Sequence, residues 1–163
     1  MRFMNFLKHL LYQLTDSLRR VYWYIFRPKT KGVKCIVEHD GQILFVRLSY
    51  AHKSWTIPGG GVGKKESFLA AARRELLEET GVKIDNLIKI GEYDSNKEYK
   101  RDHVEIFYGK ALNPRFMVDG FEIVEAKWSV PLNLPTPHAR RVPELVEFFK
   151  KYKTHESSGF YKN

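Results

Sequence analysis

The sequence predicts an α/β fold in a single domain that follows an amphipathic helix. Downstream of residue 28, β-branched and apolar runs of strand length alternate with two segments rich in helix formers. The 163 residues can enclose one hydrophobic core but are too few for two. With 43% apolar and 29% charged residues, the composition indicates neither wholesale disorder nor a multispanning membrane protein. We therefore expect a helix over residues 1–28, a domain over 29–153 and a polar tail over 154–163.

The first 28 residues place apolar side chains at the i, i+3 and i+4 spacing of an amphipathic helix. Charged residues such as Lys8, Arg19 and Arg20 interrupt the segment, so we expect neither a membrane-spanning helix nor a secretory signal. Packing of the apolar face on the domain itself or on a second copy of the chain is the favoured interpretation. Contact with an anionic membrane surface is the alternative, because aromatic and basic residues crowd residues 19–31.

The first part of the domain is predicted to contain a hairpin, a tight loop and a helix. Strands over residues 32–37 and 42–48 flank Asp40 and Gly41, and Asp-Gly between two such runs is a strong hairpin signal. A short extended piece over 55–57 stops at Pro58 and three glycines. Residues 66–80 are mostly strong helix formers, and Gly81 supplies the C-terminal cap of the predicted helix.

The second part of the domain is predicted to contain three strands and a closing helix. The strands are expected over residues 87–93, 103–112 and 124–130. The helix is expected over 137–151, opened by Thr136 with a proline in its first turn. Residues from 154 onward are polar, and we expect them to be frayed.

Charge and cysteine content bound the partners and the compartment. The chain has 28 Lys and Arg against 19 Asp and Glu, and this net charge of +9 favours anionic partners. No recognised nucleic-acid motif accompanies the charge. The single cysteine, Cys35, lies in the apolar run 33–37, where a small buried hydrophobe is expected. A cytoplasmic protein fits these features best, with peripheral membrane association through the first helix as the alternative.

Three glutamates on the helix over 66–80 form the candidate catalytic cluster. Glu75, Glu78 and Glu79 stand at i, i+3 and i+4, so their carboxylates project from one side of the helix. Taken alone, such a cluster is usually a solvated surface, and Arg74 offers Glu78 an ordinary ion pair. A hard divalent cation between the carboxylates is the other interpretation. The residues upstream favour the cation.

The segment from residue 60 fits the pattern G-x5-E-x7-R-E-U-x-E-E-x-G-U at every fixed position, where U is aliphatic. The matching residues are Gly60, Glu66, Arg74, Glu75, Leu76, Glu78, Glu79, Gly81 and Val82. With typical residue frequencies, such a match arises by chance on the order of once in ten million chains of this size. The segment resembles the complete motif of the Nudix hydrolases, and with its flanking strands the resemblance covers residues 32–152.

The resemblance implies an α/β/α sandwich around a mixed sheet and hydrolysis by a metal-activated water that attacks phosphorus. It implies Mg²⁺ as cofactor, with Mn²⁺ as an alternative. Glu75 and Glu79 are then metal ligands, Glu78 is a further ligand or holds a bound water, and Arg74 orients the glutamates. Glu66 is expected to be structural. The general base is either Glu75 or a distant carboxylate, for which Glu122 is favoured among Glu98, Glu105, Glu122 and Glu125.

Candidate substrate contacts lie in and around the motif. Gly60 lets the backbone approach a phosphate, and Lys64 and Lys65 are positioned to meet phosphate oxygens, although adjacent lysines also serve solubility. His52 and His103 are further candidates. We expect cleavage of a diphosphate bond in a nucleoside diphosphate derivative, with nucleoside triphosphates or capped RNA ends as the alternative. A non-catalytic Nudix-fold module that binds nucleotides or regulates at a membrane is the alternative of another class.

Overall fold

The computed structural model describes residues 29–49, 54–84, 86–95, 101–118, 120 and 122–158. The predicted helix over residues 1–28 lies outside this part of the chain. Among the described residues, no helix is long and apolar enough to cross a membrane. In chain order the elements are β1 (Lys29–His39), β2 (Gln42–Leu48), β3 (Trp55–Thr56), α1 (Phe68–Thr80), β4 (Ile88–Ser95), β5 (Arg101–Lys110), β6 (Ile123–Ser129) and α2 (Val142–Ser157).

The strands form one mixed sheet, and a helix packs on each face. The sheet order is β3-β2-β1-β5-β4, and β6 also pairs with β2. β1 and β5 run parallel, whereas the other pairs are antiparallel. Side chains alternate between the two faces, so Val33 and Cys35 join the core under α1 while Ile36 joins the core under α2. The predicted α/β/α arrangement around a mixed sheet is confirmed.

The hairpin between β1 and β2 turns where the sequence predicts it. Asp40 and Gly41 have φ angles of 47° and 75°, as a two-residue turn of type I′ requires. β1 is longer than the predicted strand because its first residues pair with the start of β5, where Lys29 lies opposite Arg101. The parallel partner therefore decides where β1 begins.

The closing helix differs from the prediction at both ends. It begins at Val142 because residues 137–139 are held against β3: Trp55 N donates to Pro137 O and Ala139 N donates to Trp55 O, both at 2.8 Å. It then continues to Ser157, so the prediction of a frayed chain from residue 154 is wrong for residues 154–157. The Lys153 ammonium contributes here by donating to Glu156 at 2.8 Å within the last turn.

Cys35 is a buried hydrophobe, as predicted. Its thiol is fully covered and donates to the carbonyl of Ala72 in α1 at 3.4 Å. Burial raises the pKa of the thiol to about 12, which suppresses the reactive thiolate at neutral pH. Cys35 therefore joins the sheet to the helix.

Candidate active site

The loop that follows β3 lies along β1 as a further extended segment, and we call residues 57–60 the glycine turn. Cys35 N donates to Pro58 O at 2.8 Å, and Val33 N donates to Gly60 O at 2.9 Å. Gly32 and Gly61 continue the contact as an isolated antiparallel bridge. The backbone of β1 thus fixes the turn that the sequence predicts as a tight loop.

Gly59 requires the absence of a side chain. Its φ angle is 139°, and a Cβ atom built on it would lie 2.1 Å from the carbonyl oxygen of Val33. This close approach to β1 aims the Gly59 amide at α1, where it donates to Glu79 Oε2 at 2.8 Å. The glycine turn and α1 are joined by this bond.

Glu79 is a buried carboxylate, with only 6% of the residue exposed. Burial raises its pKa to about 7, and the nearby carboxylates of Glu75 and Glu122 act in the same direction. The Lys34 ammonium and the Gly59 amide oppose this rise. Desolvation without full compensation leaves Glu79 ready to gain from a bound cation.

Glu75 stands one turn earlier on α1 and is half-buried. Burial is the main cause of the rise in its pKa, and Arg74 opposes the rise. Its carboxylate fills the space beside Gly60, because a Cβ atom at Gly60 would lie 2.5 Å from Glu75 Cδ. Gly60 therefore makes room for a carboxylate, a role that differs from the predicted approach to phosphate and does not exclude it.

Arg74 connects the acidic residues of the motif through all of its N–H groups. Its Nε and Nη2 donate to the two carboxylate oxygens of Glu66 at 2.9 and 3.0 Å. Its Nη1 donates to Glu75 at 2.9 Å and to Glu78 at 3.0 Å, and Nη2 also reaches Gly61 O at 3.0 Å. A planar guanidinium with five donors suits such a junction, whereas an ammonium does not. The geometry agrees with an orienting role.

Glu66 anchors this junction from the loop. Besides the fork with Arg74, its Oε2 accepts from Gly63 N at 3.0 Å. The hydrogen bonds from Arg74 and then from Gly63 lower the pKa of Glu66. It is thereby kept ionised, which fits the structural role that the resemblance implies.

Glu122 lies near α1 although it is far away in sequence. Its charge raises the pKa of both Glu75 and Glu79, and its carbonyl accepts from Ser49 N at 2.9 Å. Two other distant candidates for the general base are engaged elsewhere, since Glu125 pairs with Arg47 and Glu105 pairs with Lys89. The last candidate, Glu98, falls outside the described residues.

Comparison with known proteins decides the family. The family model of the NUDIX domain matches residues 28–152, which is most of the chain. The chain belongs to the Nudix hydrolase family. Among relatives of this Nudix hydrolase, a provisionally named 8-oxo-dGTP diphosphatase of Bacillus subtilis (strain 168) is 36% identical over 106 residues, covering 65% of this chain and 70% of that protein.

Further relatives agree with this assignment. An RNA pyrophosphohydrolase of Bartonella bacilliformis is 44% identical over 71 residues, although the match spans only 38% of this chain and 42% of that protein. Among solved structures, a MutT protein of Methanosarcina mazei Go1 superposes with a TM-score of 0.68 at 22% identity, covering 78% of this chain and 97% of that one. A likeness at that identity shows the Nudix fold alone.

The other predicted substrate contacts lie in the loop before α1, on β5 and outside the described residues. Lys64 and Lys65 are exposed in the turn before α1. His103 lies on β5, where its Nδ1 is 2.8 Å from Asp94 Oδ1 and its ring meets the edge of Phe68. His52 falls outside the described residues.

Sequence reasoning missed one residue at the site. Lys34 points its ammonium at the glycine turn, and its charge is felt by Glu79. A lone lysine inside the apolar run 33–37 was the available signal, because a buried strand seldom includes an ammonium that has no partner.

A second cluster that contains acidic side chains was also not predicted from the sequence. Glu92, His103 and Glu105 offer ligand atoms within 4.8 Å of one another, and in the described part of the chain they are the sole trio of metal-ligating side chains this close. The Lys89 ammonium already bridges two of them, at 2.5 Å from Glu92 and 2.8 Å from Glu105. The single Lys89 ammonium thus offsets part of the negative charge of these two carboxylates.

The carboxylates of the Nudix helix are a second set of oxygen donors that could hold a hard divalent cation. Arg74 holds Glu75 and Glu78, and Gly59 holds Glu79, so the three do not converge as closely as the β4–β5 trio. They are nevertheless oxygen donors on one side of a rigid helix, and two of them are desolvated. Mg²⁺ prefers oxygen ligands and retains several waters, so a few carboxylates suffice.

Proposed function

We propose that this Nudix hydrolase cleaves a diphosphate bond of a nucleotide derivative in a reaction that depends on Mg²⁺ or Mn²⁺. The observation that carries the proposal is the pairing of two desolvated carboxylates, Glu75 and Glu79, with a turn built to receive them. Such a pair is costly without a cation and favourable with one. The complete motif from Gly60 to Val82 supports the same conclusion.

Each residue of the site has a task in this proposal. Glu75 and Glu79 would hold the cation, and Glu78 would hold a further position or a water. When bound, the cation activates a water and neutralises the charge that develops on the phosphates. Arg74 keeps the carboxylates oriented through its five donors. Proton abstraction from the water falls to Glu75 or to Glu122, whose charges interact.

The substrate class follows from two sources that differ slightly. The sequence favours a nucleoside diphosphate derivative as the small-molecule substrate. The names of the relatives, an 8-oxo-dGTP diphosphatase and RNA pyrophosphohydrolases, favour a triphosphate end on a nucleotide or on RNA as the second candidate. All share the phosphoanhydride bond and a polyanionic leaving group that a cation can neutralise.

The experiment that tests the proposal is hydrolysis of a substrate panel with Mg²⁺, Mn²⁺ or EDTA. The panel contains nucleotide sugars, ADP-ribose, dinucleoside polyphosphates, nucleoside triphosphates including 8-oxo-dGTP, and RNA with triphosphate or capped ends. We expect turnover of at least one substrate that stops in EDTA. The Glu79→Gln variant should retain the circular dichroism spectrum of the wild type and lose about 100-fold or more in turnover, because it removes a cation ligand.

The matched control is Glu147→Gln, which removes a carboxylate paired with Lys150 on the exposed side of α2. It should leave turnover unchanged. Absence of metal-dependent turnover across the panel would contradict the proposal and favour a non-catalytic binding module. Full activity of Glu79→Gln would remove Glu79 from the set of metal ligands.

A further inference from the structure

Lys34 is a cation inside β1 whose neighbours in sequence, Val33 and Cys35, are buried. The chain runs through a well-packed core here, so an ammonium needs a definite set of acceptors. It has them in the glycine turn: Lys34 Nζ donates to Ile57 O at 2.8 Å and lies 3.5 Å from Gly59 O. The Lys34 ammonium is therefore satisfied by backbone carbonyls of the candidate active site.

The side chain of Lys34 completes a pattern that the backbone of β1 begins. The amides of Val33 and Cys35 bind the carbonyls of residues 60 and 58, and Lys34 binds those of residues 57 and 59. Three consecutive residues of β1 thus donate hydrogen bonds to all four carbonyls of the glycine turn. A strand backbone alone reaches alternate carbonyls, because successive peptide groups of an extended segment point to opposite sides.

The glycine turn contacts the carboxylates of both Glu79 and Glu75. Its third residue donates an amide to Glu79, and its fourth leaves the space that the Glu75 carboxylate fills. The Lys34 charge also favours the ionised form of Glu79 against the effect of burial. Both influences reach the proposed metal ligands without Lys34 being a ligand itself.

We propose that Lys34 is a positioning residue that locks the glycine turn, so that the Gly59 amide and the gap at Gly60 hold Glu79 and Glu75 in place for a divalent cation. The part of this inference that concerns the cation rests on the proposed function. The part that concerns the turn does not. Lys34 thus acts on the proposed metal ligands indirectly, through the glycine turn. Groups that hydrogen-bond to metal ligands in other enzymes also act without binding the metal themselves.

The test compares Lys34→Met, Lys34→Arg and the matched control Lys31→Met. Methionine keeps the length and the apolar stem of the side chain but removes the donor, and arginine keeps charge and donors. Lys31 lies on the same strand, but its ammonium sits over the Phe68 ring, 5.5 Å from the centroid. Circular dichroism and thermal melting establish that each variant folds.

Two readouts do not require activity. The first is the amide proton shift and exchange rate of Gly59 by ¹H–¹⁵N NMR in EDTA, which report the bond to Glu79. The second is Mn²⁺ affinity by electron paramagnetic resonance. We expect Lys34→Met to move the Gly59 signal, accelerate its exchange and weaken Mn²⁺ binding about 10- to 100-fold, the range found for lost partners of metal ligands. Lys34→Arg should recover most of both, and Lys31→Met should match the wild type.

Turnover gives a third readout. Lys34→Met should lower kcat more than it raises KM, because a displaced carboxylate impairs chemistry rather than substrate capture. A folded Lys34→Met protein with an unchanged Gly59 amide and unchanged Mn²⁺ affinity would overturn the inference. If the wild type hydrolyses nothing, the proposed function fails, and the Gly59 signal still decides whether Lys34 locks the turn.

Discussion

Two adjacent glycines of the site, Gly60 and Gly61, differ in how much space surrounds them. A Cβ atom on Gly60 would lie 2.5 Å from the Glu75 carboxylate, whereas one on Gly61 would meet no atom within 4 Å. Neither residue has the positive φ angle that marks Gly59. The need for glycine at position 60 is therefore set by what lies beside it rather than by its backbone conformation.

This contrast predicts that Gly60→Ala inactivates the enzyme without unfolding it. The atoms in the way form the far end of a flexible glutamate, which can rotate at a cost of about 1 kcal/mol. If Glu75 holds the cation as proposed, the displaced carboxylate can no longer do so, and we expect turnover to fall about 10-fold or more, as for other misplaced catalytic groups. Urea unfolding and the metal-dependent assay measure the two effects separately.

Gly61→Ala is the control for this substitution, and it should retain both stability and turnover. Equal activity of the two variants would show that Glu75 does not need its present position. Gly59→Ala differs from both, because its Cβ would strike backbone atoms of β1 that cannot move aside.

At the scale of residues, the sequence predicts contacts within one helix and misses those across the fold. Arg74 and Glu78 are neighbours on α1 by their i, i+4 spacing, so their ion pair could be expected from the sequence. The bond from Gly59 to Glu79 and the approach of Lys34 depend on how β1, the glycine turn and α1 stack. No local pattern encodes that stacking.

Helix α2 is seated on the sheet partly by a glycine of β4. A Cβ atom on Gly91 would lie 2.4 Å from the Phe148 ring, so the ring packs directly on the backbone of the strand. Gly91 also follows an irregularity in the pairing of β4 with β5. Helix α2 therefore approaches β4 more closely at this point than a residue with a side chain at position 91 would permit.

We predict that Gly91→Ala destabilises the fold by about 1–3 kcal/mol, the usual cost of overpacking. The Phe148→Ala background removes the ring, and there the same substitution should be neutral or slightly stabilising. A double-mutant cycle of urea unfolding measures this coupling. Additive effects would mean that the ring and Gly91 do not share the contact. Turnover of the folded single variant should match the wild type, because α2 lies across the sheet from α1.

Elements with strong local signals were predictable, and elements with long-range partners were less so. The Asp-Gly turn and the helix ending at Gly81 follow from residue types, and both occur where predicted. The parallel pairing of β1 with β5 joins residues some seventy positions apart. The start of α2 is delayed by bonds to Trp55, which is distant in sequence. Tertiary contact, and not propensity, sets these boundaries.

For the whole molecule, Glu79 makes stability depend on pH. Its pKa is about 7 in the folded protein against an ordinary value of 4.5. The stability associated with protonated Glu79 is fully present below pH 4.5 and is lost as pH rises through 7. Over that range the metal-free protein loses about 3 kcal/mol from this group.

The difference between the wild type and Glu79→Gln isolates this effect from other carboxylates. In EDTA, the free energy of unfolding of Glu79→Gln relative to the wild type should increase between pH 5 and pH 8. Saturating Mn²⁺ should restore the wild type at pH 8 and leave Glu79→Gln nearly unchanged. Urea titrations at each pH measure both quantities. A pH-independent difference would mean that Glu79 is not desolvated.

The attachment of the glycine turn to β1 also determines when the chain loses conformational entropy. Ordering the backbone of one residue costs about 1–2 kcal/mol of conformational entropy. If the four residues of the turn were free, ordering them on binding would weaken the binding free energy by roughly 4–8 kcal/mol. Here all four carbonyls of the turn are hydrogen-bonded to β1 by the chain's own donors. The entropy cost of ordering the turn is therefore part of the free energy of folding. It does not reduce the binding affinity for the substrate phosphates.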